Sequence, residues 1–271
     1  MTVDTATASH HHARMWAQGD YALMAEEVMA PIGPELVAAS GIGPGDRVLD
    51  VAAGSGNISI PAAQTGAIIV SSDLTPELLE RSKMRATAHG VALEWHEADA
   101  QALPFGDNEF DAVISAIGVM FAPDHQRAAN ELIRVCKPGG TIAVASWTPN
   151  GYFGRMLAAI RPYRPTEIPG VPPAAVWGRE DYVSDLLLLG DQVEILGTQR
   201  HQLPVRRFSS AQEVHDYFKE HYGPTIDAYE VIGNNRALSS ALDHELVELA
   251  QEYLNDTSMD WEYLIVTARK R

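Results

Sequence analysis

Three acidic residues stand where strands should end, and one of them feeds a glycine turn. Val48-Leu49-Asp50-Val51-Ala52-Ala53-Gly54-Ser55-Gly56-Asn57 reads as an apolar strand closing on an acid and running into a turn before a helix. Glycines there let the backbone approach a ligand, and the following helix N-terminus favours negative groups, so the turn has the make-up of a cofactor cradle. The next strand ends at Asp73, whose carboxylate can accept both hydroxyls of a ribose. Leu74 follows as an apolar plate for a purine ring. Ala98-Asp99-Ala100, ahead of Leu103-Pro104-Phe105, places a third acid and small residues where an adenine edge would lie. Three strand ends thus converge on one nucleoside. The turn alone is ambiguous, because Gly54-x-Gly56-x-x-Ser59 is one small residue away from a dinucleotide fingerprint. A nicotinamide-dependent dehydrogenase is therefore an alternative, although its fingerprint requires neither Asp50 at the strand end nor the Ala98 to Phe105 segment.

Other residues offer acid-base chemistry. His221 and Tyr222 end a helix in the C-terminal half and can supply a general base or a hydroxyl that binds an acceptor. His221 equally continues the apolar stripe of Val214, Tyr217 and Phe218. His125 follows Asp124, an expected N-cap, and so reads as a solvent-facing residue of a first helical turn. Trp16 and Tyr21 either cover the cofactor or anchor the N-terminal helices. The tract His10-His11-His12 has no carboxylate or cysteine beside it and reads as inert. No other His, Asp or Glu set has convincing metal-ligand spacing. Cys136 reads as small apolar packing, and Asp243, Glu245, Glu248 and Glu252 as a solvated helix face.

These groups need a frame, and the chain spells one. From Arg47 to Trp147, short apolar runs alternate with helical patterns, which predicts a doubly wound α/β fold with a mostly parallel sheet. Strands are expected over 47–52, 67–72, 92–96, 112–116 and 141–147, with helices over 75–88 and 124–136. Lys137-Pro138-Gly139-Gly140 supplies a helix stop. Two helical stretches, 13–30 and 34–40, precede the sheet. After Trp147, a short amphipathic helix through Phe153, Met156, Leu157 and Ile160 leads to Pro162, Pro165, Pro169, Pro172 and Pro173, an extended linker where a lid would begin. Ser210 and Glu213 are spaced as a capping box for a helix that Gly223-Pro224 stops. A polar-faced helix over 236–253 and a β-rich run over 261–268 complete the chain.

Composition narrows the class. The chain has 271 residues, 46% of them apolar, enough to bury a large core. Lys+Arg 20 against Asp+Glu 36 gives a net charge of −16, which repels phosphate backbones and anionic lipid, so neither nucleic acid nor membrane is expected as a partner. A single cysteine and the lack of a secretory pattern fit a reducing cytoplasm.

The ordered set VLDVAAGSGN, SSDLTPELL, EADAQALPF, FDAVISAIGVMF and RVCKPGGTIAVASW resembles the motifs of class I S-adenosylmethionine-dependent methyltransferases of type 11, similar to the quinone-biosynthesis methyltransferases. The flanking Met15-Trp16, Gly118 to His125, Ser146 to Pro149, Trp177-Gly178 and His221 to Thr225 look like a group of actinobacterial, including mycobacterial, methyltransferases. The resemblance implies a seven-stranded Rossmann-like sheet with its last strand antiparallel, and a helical lid. It implies three regions: covering helices over 1–45, a cofactor-binding core over 46–150, and lid segments plus C-terminal strands over 151–271. It also implies that Asp50 and the turn of Ala52, Ala53, Gly54, Gly56 and Asn57 hold the methionine end of S-adenosylmethionine. Asp73 then takes the ribose, Leu74, Asp99 and Ala100 the adenine, Ser115 the amino group, and Tyr21 a covering position. Ala52 departs from the family's usual first glycine, and its small size makes the exchange tolerable.

A sulfonium already activates its methyl group, so transfer asks mainly for alignment, exclusion of water and removal of a proton. The expected reaction is methylation of a small, partly apolar molecule at O, N or C, in that order of preference, releasing S-adenosylhomocysteine. The rival from another class is a protein that binds the cofactor without catalysis.

Overall fold

Arg47–Val51 (β1) is buried from its second residue onward, so successive side chains on both faces are covered, as a central parallel strand requires. It pairs in parallel with Ile68–Asp73 (β2) on one side and Phe110–Ala116 (β4) on the other. Glu94–Glu97 (β3) adds to β2, and Cys136–Trp147 (β5) adds to β4, both parallel. Met259–Lys270 (β7) pairs antiparallel with β5 and with Val193–Val205 (β6), which forms the far edge. The seven-stranded order is β3-β2-β1-β4-β5-β7-β6. The expected sheet and its antiparallel last strand are therefore observed. The computed structural model describes residues 5–163, 171–256 and 258–271, with side chains from His12 onward. Pro165 and Pro169 of the expected linker lie outside the described residues.

Helices cover the sheet and one end of it. Thr5–Gln18 (α1), Tyr21–Glu27 (α2) and Ile32–Ser40 (α3) precede β1, and Ser59–Gln64 (α4) follows the glycine turn. Pro76–Ala88 (α5) follows β2, and His125–Val135 (α6) leads into β5 with Asp124 capping Arg127 N at 2.9 Å. Tyr152–Ile160 (α7), Glu180–Leu188 (α8), Ala211–His221 (α9), Gly223–Ile232 (α10) and Arg236–Tyr253 (α11) complete the set. The last three pack with α7 and α1 as a helical layer. Aromatic rings join that layer to the sheet. Trp147 of β5 stacks on Phe153 of α7 at 4.2 Å, and Trp261 of β7 meets Phe153 edge-on at 4.9 Å. Such pairs add about 0.5–1.5 kcal/mol each beyond their burial. Among the described residues no helix is long and apolar enough to cross a membrane.

Several expectations are corrected. The stretch 13–30 is two helices, because Asp20 caps a new start at Leu23 N (3.2 Å). Gly223-Pro224 ends α9 but opens α10, with proline in the first turn where its missing N–H costs nothing. β5 begins at Cys136, so the Lys137 to Gly140 segment lies inside the strand, beside a register shift opposite Phe110 and Ala112. β6 was not foreseen. Its largely exposed, mixed residues lack the apolar run of an inner strand, because an edge strand has fewer neighbours to bury against. Glu213 accepts from Ser209 N and Oγ, both at 2.9 Å, while Ser210 Oγ accepts from Glu213 N, so the capping box is shared between two serines.

Candidate functional site

At the carboxyl end of β1 the backbone reverses through left-handed conformations, with φ of 56° at Ala52, 56° at Gly54 and 85° at Gly56. Glycine adopts these freely, while alanine at position 52 costs roughly 1–2 kcal/mol. A Cβ on Gly56 would sit 2.8 Å from Ser82 Oγ of α5, so a side chain there would also displace that hydroxyl. A Cβ on Gly54 would meet nothing within 4 Å. Gly118, past β4, would place its Cβ 2.6 Å from that of Ala52, and this contact fixes how closely the two strand ends approach.

Asp73 ties the turn to the next strand. Its Oδ2 accepts from Gly54 N and its Oδ1 from Thr75 N, each at 2.8 Å. Ala53 N donates to Ser72 O (2.9 Å), and Ala98 N to Asp73 O (2.9 Å), drawing three strand ends together. Asp99 Oδ1 accepts from Gln101 N at 2.8 Å. Arg85 of α5 donates to Ser55 O at 2.8 Å and pairs with Glu26 of α2, while Arg81 donates to Gly19 O at 2.7 Å. One helix thus holds both the turn and the N-terminal cover.

Above these ends lies a cleft enclosing about 1260 Å3, part of it open to solvent. Ala52, Ala53, Gly54, Asn57, Asp73, Leu74, Asp99, Ala100, Tyr21 and Tyr222 line it, as does Trp16. Asp50, Gly56, Ser115 and His221 stand outside the lining. Ser115 is fully buried, donating to Val51 O at 2.6 Å and accepting from Val119 N at 3.0 Å, so it clamps β4 to β1. His221 turns its ring edge to Tyr217, and its carbonyl accepts from Asp20 N at 2.9 Å.

Asp50 sits beneath the turn with no exposure, its Oδ2 accepting from Ser59 Oγ at 2.6 Å. Its Oδ1 has no hydrogen-bond partner. Burial, reinforced by the nearby Asp73 charge, outweighs the Ser59 bond and pushes its carboxyl up to about 7. Burial raises Asp73 as well, against the backbone bonds that favour its charge.

The opposite wall is aromatic and apolar. Trp16 lies 4.7 Å from Phe121 and 5.5 Å from Tyr21, and Tyr222 bridges Tyr21 (6.2 Å) and Phe153 (5.8 Å). Met24, Met29, Ile32 and Ile58 extend it. Trp16 and Tyr21 therefore both line the cleft and anchor α1 and α2 to the sheet end. His125 is buried instead of solvent-facing: its Nδ1 lies 2.8 Å from the Tyr182 hydroxyl, Trp177 meets it edge-on, and burial pushes its imidazole down to about 4. Sequence reasoning missed His12, which lines the cleft from α1. Its spacing of four from Trp16 was the available signal, since residues one turn apart share a helix face.

Residues 49–144 match a family model described as a methyltransferase domain. Over its full length the chain is 65% identical to an uncharacterized protein of Mycobacterium tuberculosis, with 100% of both chains aligned. Demethylmenaquinone methyltransferase of Thermus thermophilus is 39% identical over 112 residues, which are 40% of this chain and 51% of that one. Among solved structures, phosphoethanolamine N-methyltransferase 2 of Haemonchus contortus, in complex with phosphomonomethylethanolamine and S-adenosylhomocysteine, matches with a TM-score of 0.53 at 15% identity, covering 89% of this chain and 52% of that one. That likeness shows a shared fold.

Proposed function

We propose that this chain, whose residues 49–144 form a class I S-adenosylmethionine-dependent methyltransferase domain, methylates a small, partly apolar acceptor, at oxygen ahead of nitrogen and carbon. The observation that carries this reading is one cleft with two unlike walls: a glycine turn and strand-end acids on one side, interlocked aromatic rings on the other.

The residues present fit the cofactor. The open space at Gly54 lets backbone, not side chain, face the ligand. Each Asp73 oxygen accepts one backbone N–H and retains a lone pair for a ribose hydroxyl. Leu74 and Ala100 would flank the purine, with Asp99 at its edge. Asp50, behind the turn, holds Ser59 at the start of α4, while Ser115 ties β4 to β1. When bound, the cofactor supplies a methyl group already activated for in-line displacement. The aromatic wall would exclude water, and Tyr222, which lines it, would orient the acceptor.

Methyl-labelled S-adenosylmethionine offered with a panel of phenols, naphthols and amines, and separately with tRNA and protein, tests the reading. Label should enter the small molecules, and Tyr222→Phe should lower kcat about tenfold or more while leaving cofactor affinity unchanged. Equal kinetics for the two proteins would assign Tyr222 to packing. Label in tRNA or protein alone would overturn the acceptor class. Binding without any transfer would leave a cofactor-binding protein.

A further inference from the structure

Methylating a neutral hydroxyl or amine releases a proton, so the cleft needs a group that takes it near neutral pH. In the proposed function Asp73 takes the ribose and Asp99 the purine edge; Asp73 also accepts two backbone N–H groups, and Asp99 accepts from Gln101. In the turn Ser55 Oγ donates to Tyr21 O (3.1 Å) and Asn57 Nδ2 to Met29 O (3.2 Å), and on the aromatic wall the Tyr21 hydroxyl accepts from Gly223 N (3.1 Å). A tyrosine hydroxyl is a poor proton acceptor near pH 7. Among the described lining residues, His12 is the one imidazole.

Its helix is firmly placed. Asp20 N bonds His221 O just after α1 ends, Arg81 holds Gly19 O, and Gly223 leaves no space between α10 and Met15 O. His12 therefore reaches the cleft from a seated element, one turn before the Trp16 ring that faces Phe121 and Tyr222.

We propose that His12 is the catalytic base of this enzyme, taking the proton of a ring-bearing acceptor's hydroxyl or amino group; the inference rests on the methyltransferase reading above. The acceptor's lone pair forms the bond to the methyl carbon, the carbon–sulfur bond breaks with its electron pair left on sulfur, and the acceptor's proton passes to the neutral imidazole of His12. The rings of Trp16, Phe121, Phe153 and Tyr222 suit a flat apolar acceptor that carries this one polar group.

The test compares wild type, His12→Gln and His12→Ala for S-adenosylhomocysteine affinity by calorimetry and for turnover on the phenol, naphthol and amine panel. We expect both variants to bind S-adenosylhomocysteine as wild type does, to lose about 100-fold or more in kcat, and His12→Ala to recover part of that loss when imidazole is added. Undiminished turnover in His12→Gln, or a loss that follows weakened S-adenosylhomocysteine binding and is not rescued by imidazole, would overturn the role of His12 and leave the proposed function standing. A wild type that binds S-adenosylhomocysteine but methylates nothing on the panel would overturn both.

Discussion

Asp73 spends one lone pair of each oxygen on the backbone, at Gly54 and at Thr75, and this holds its buried carboxylate in place in the lining of the cleft. Replacing it with alanine removes the proposed ribose contact and frees the turn at once. We expect Asp73→Ala to weaken S-adenosylmethionine binding by about 1–3 kcal/mol in calorimetry, and unchanged affinity would remove Asp73 from the site. Asp50 makes a different prediction. Its folded-state pKa is raised to about 7, so between about pH 4 and 7 the unfolded chain has lost a proton that the folded chain keeps. Its contribution to stability is therefore full at low pH and falls as pH rises through that window, by up to about 1.4 kcal/mol per unit. Asp50→Asn keeps an oxygen for Ser59 and carries no charge. In urea titrations of the ligand-free protein it should remove this share of the slope and gain most above pH 7. A variant with the wild-type slope would show that Asp50 does not titrate in this range. Asp73, raised as well, leaves a residual slope of the same sign.

Helix packing decides whether the aromatic wall exists. Gly223 begins α10 where a Cβ would lie 2.3 Å from Met15 O and 2.9 Å from the Tyr21 hydroxyl. Gly223→Ala must push α1 off α10, at a cost of about 1–3 kcal/mol read as a lower urea midpoint. The displacement also moves Trp16 and Tyr21, so affinity for S-adenosylhomocysteine should fall in the same variant. A protein with wild-type midpoint and affinity would show that α1 is not seated as described. Elements with strong local signals were legible: α5, α6, α9 and α11 follow their caps and apolar spacing within a residue or two. α10 was not, because Gly-Pro serves equally as a stop and as a first turn, and only the helix it meets distinguishes the two.

The whole molecule joins the two walls through β5, β7 and the aromatic layer, so filling the cleft should stabilise the fold as a unit. S-adenosylhomocysteine at about 100 times its Kd should add about 2.7 kcal/mol and raise Tm by roughly 5–10 °C. The nicotinamide cofactor should leave Tm unchanged, and a shift with it alone would revive the dehydrogenase alternative. The sequence by itself determined the glycine-turn wall of the cleft, because strand, acid, turn and helix follow one another between Arg47 and Trp147, and their backbone demands are met by neighbours in the chain. The resemblance marked Ala52 as a small residue standing where the family has glycine, though not that Ala52 bears a left-handed φ. Only the tertiary structure decided the other wall. His12, Trp16, Tyr21, Phe153 and Tyr222 come from segments far apart in the chain, and they meet through packing of one helix on another, which no local pattern of residues encodes. The same reason buried His125 and hid β6: burial depends on which distant element arrives, and a residue's neighbours in sequence carry no record of it.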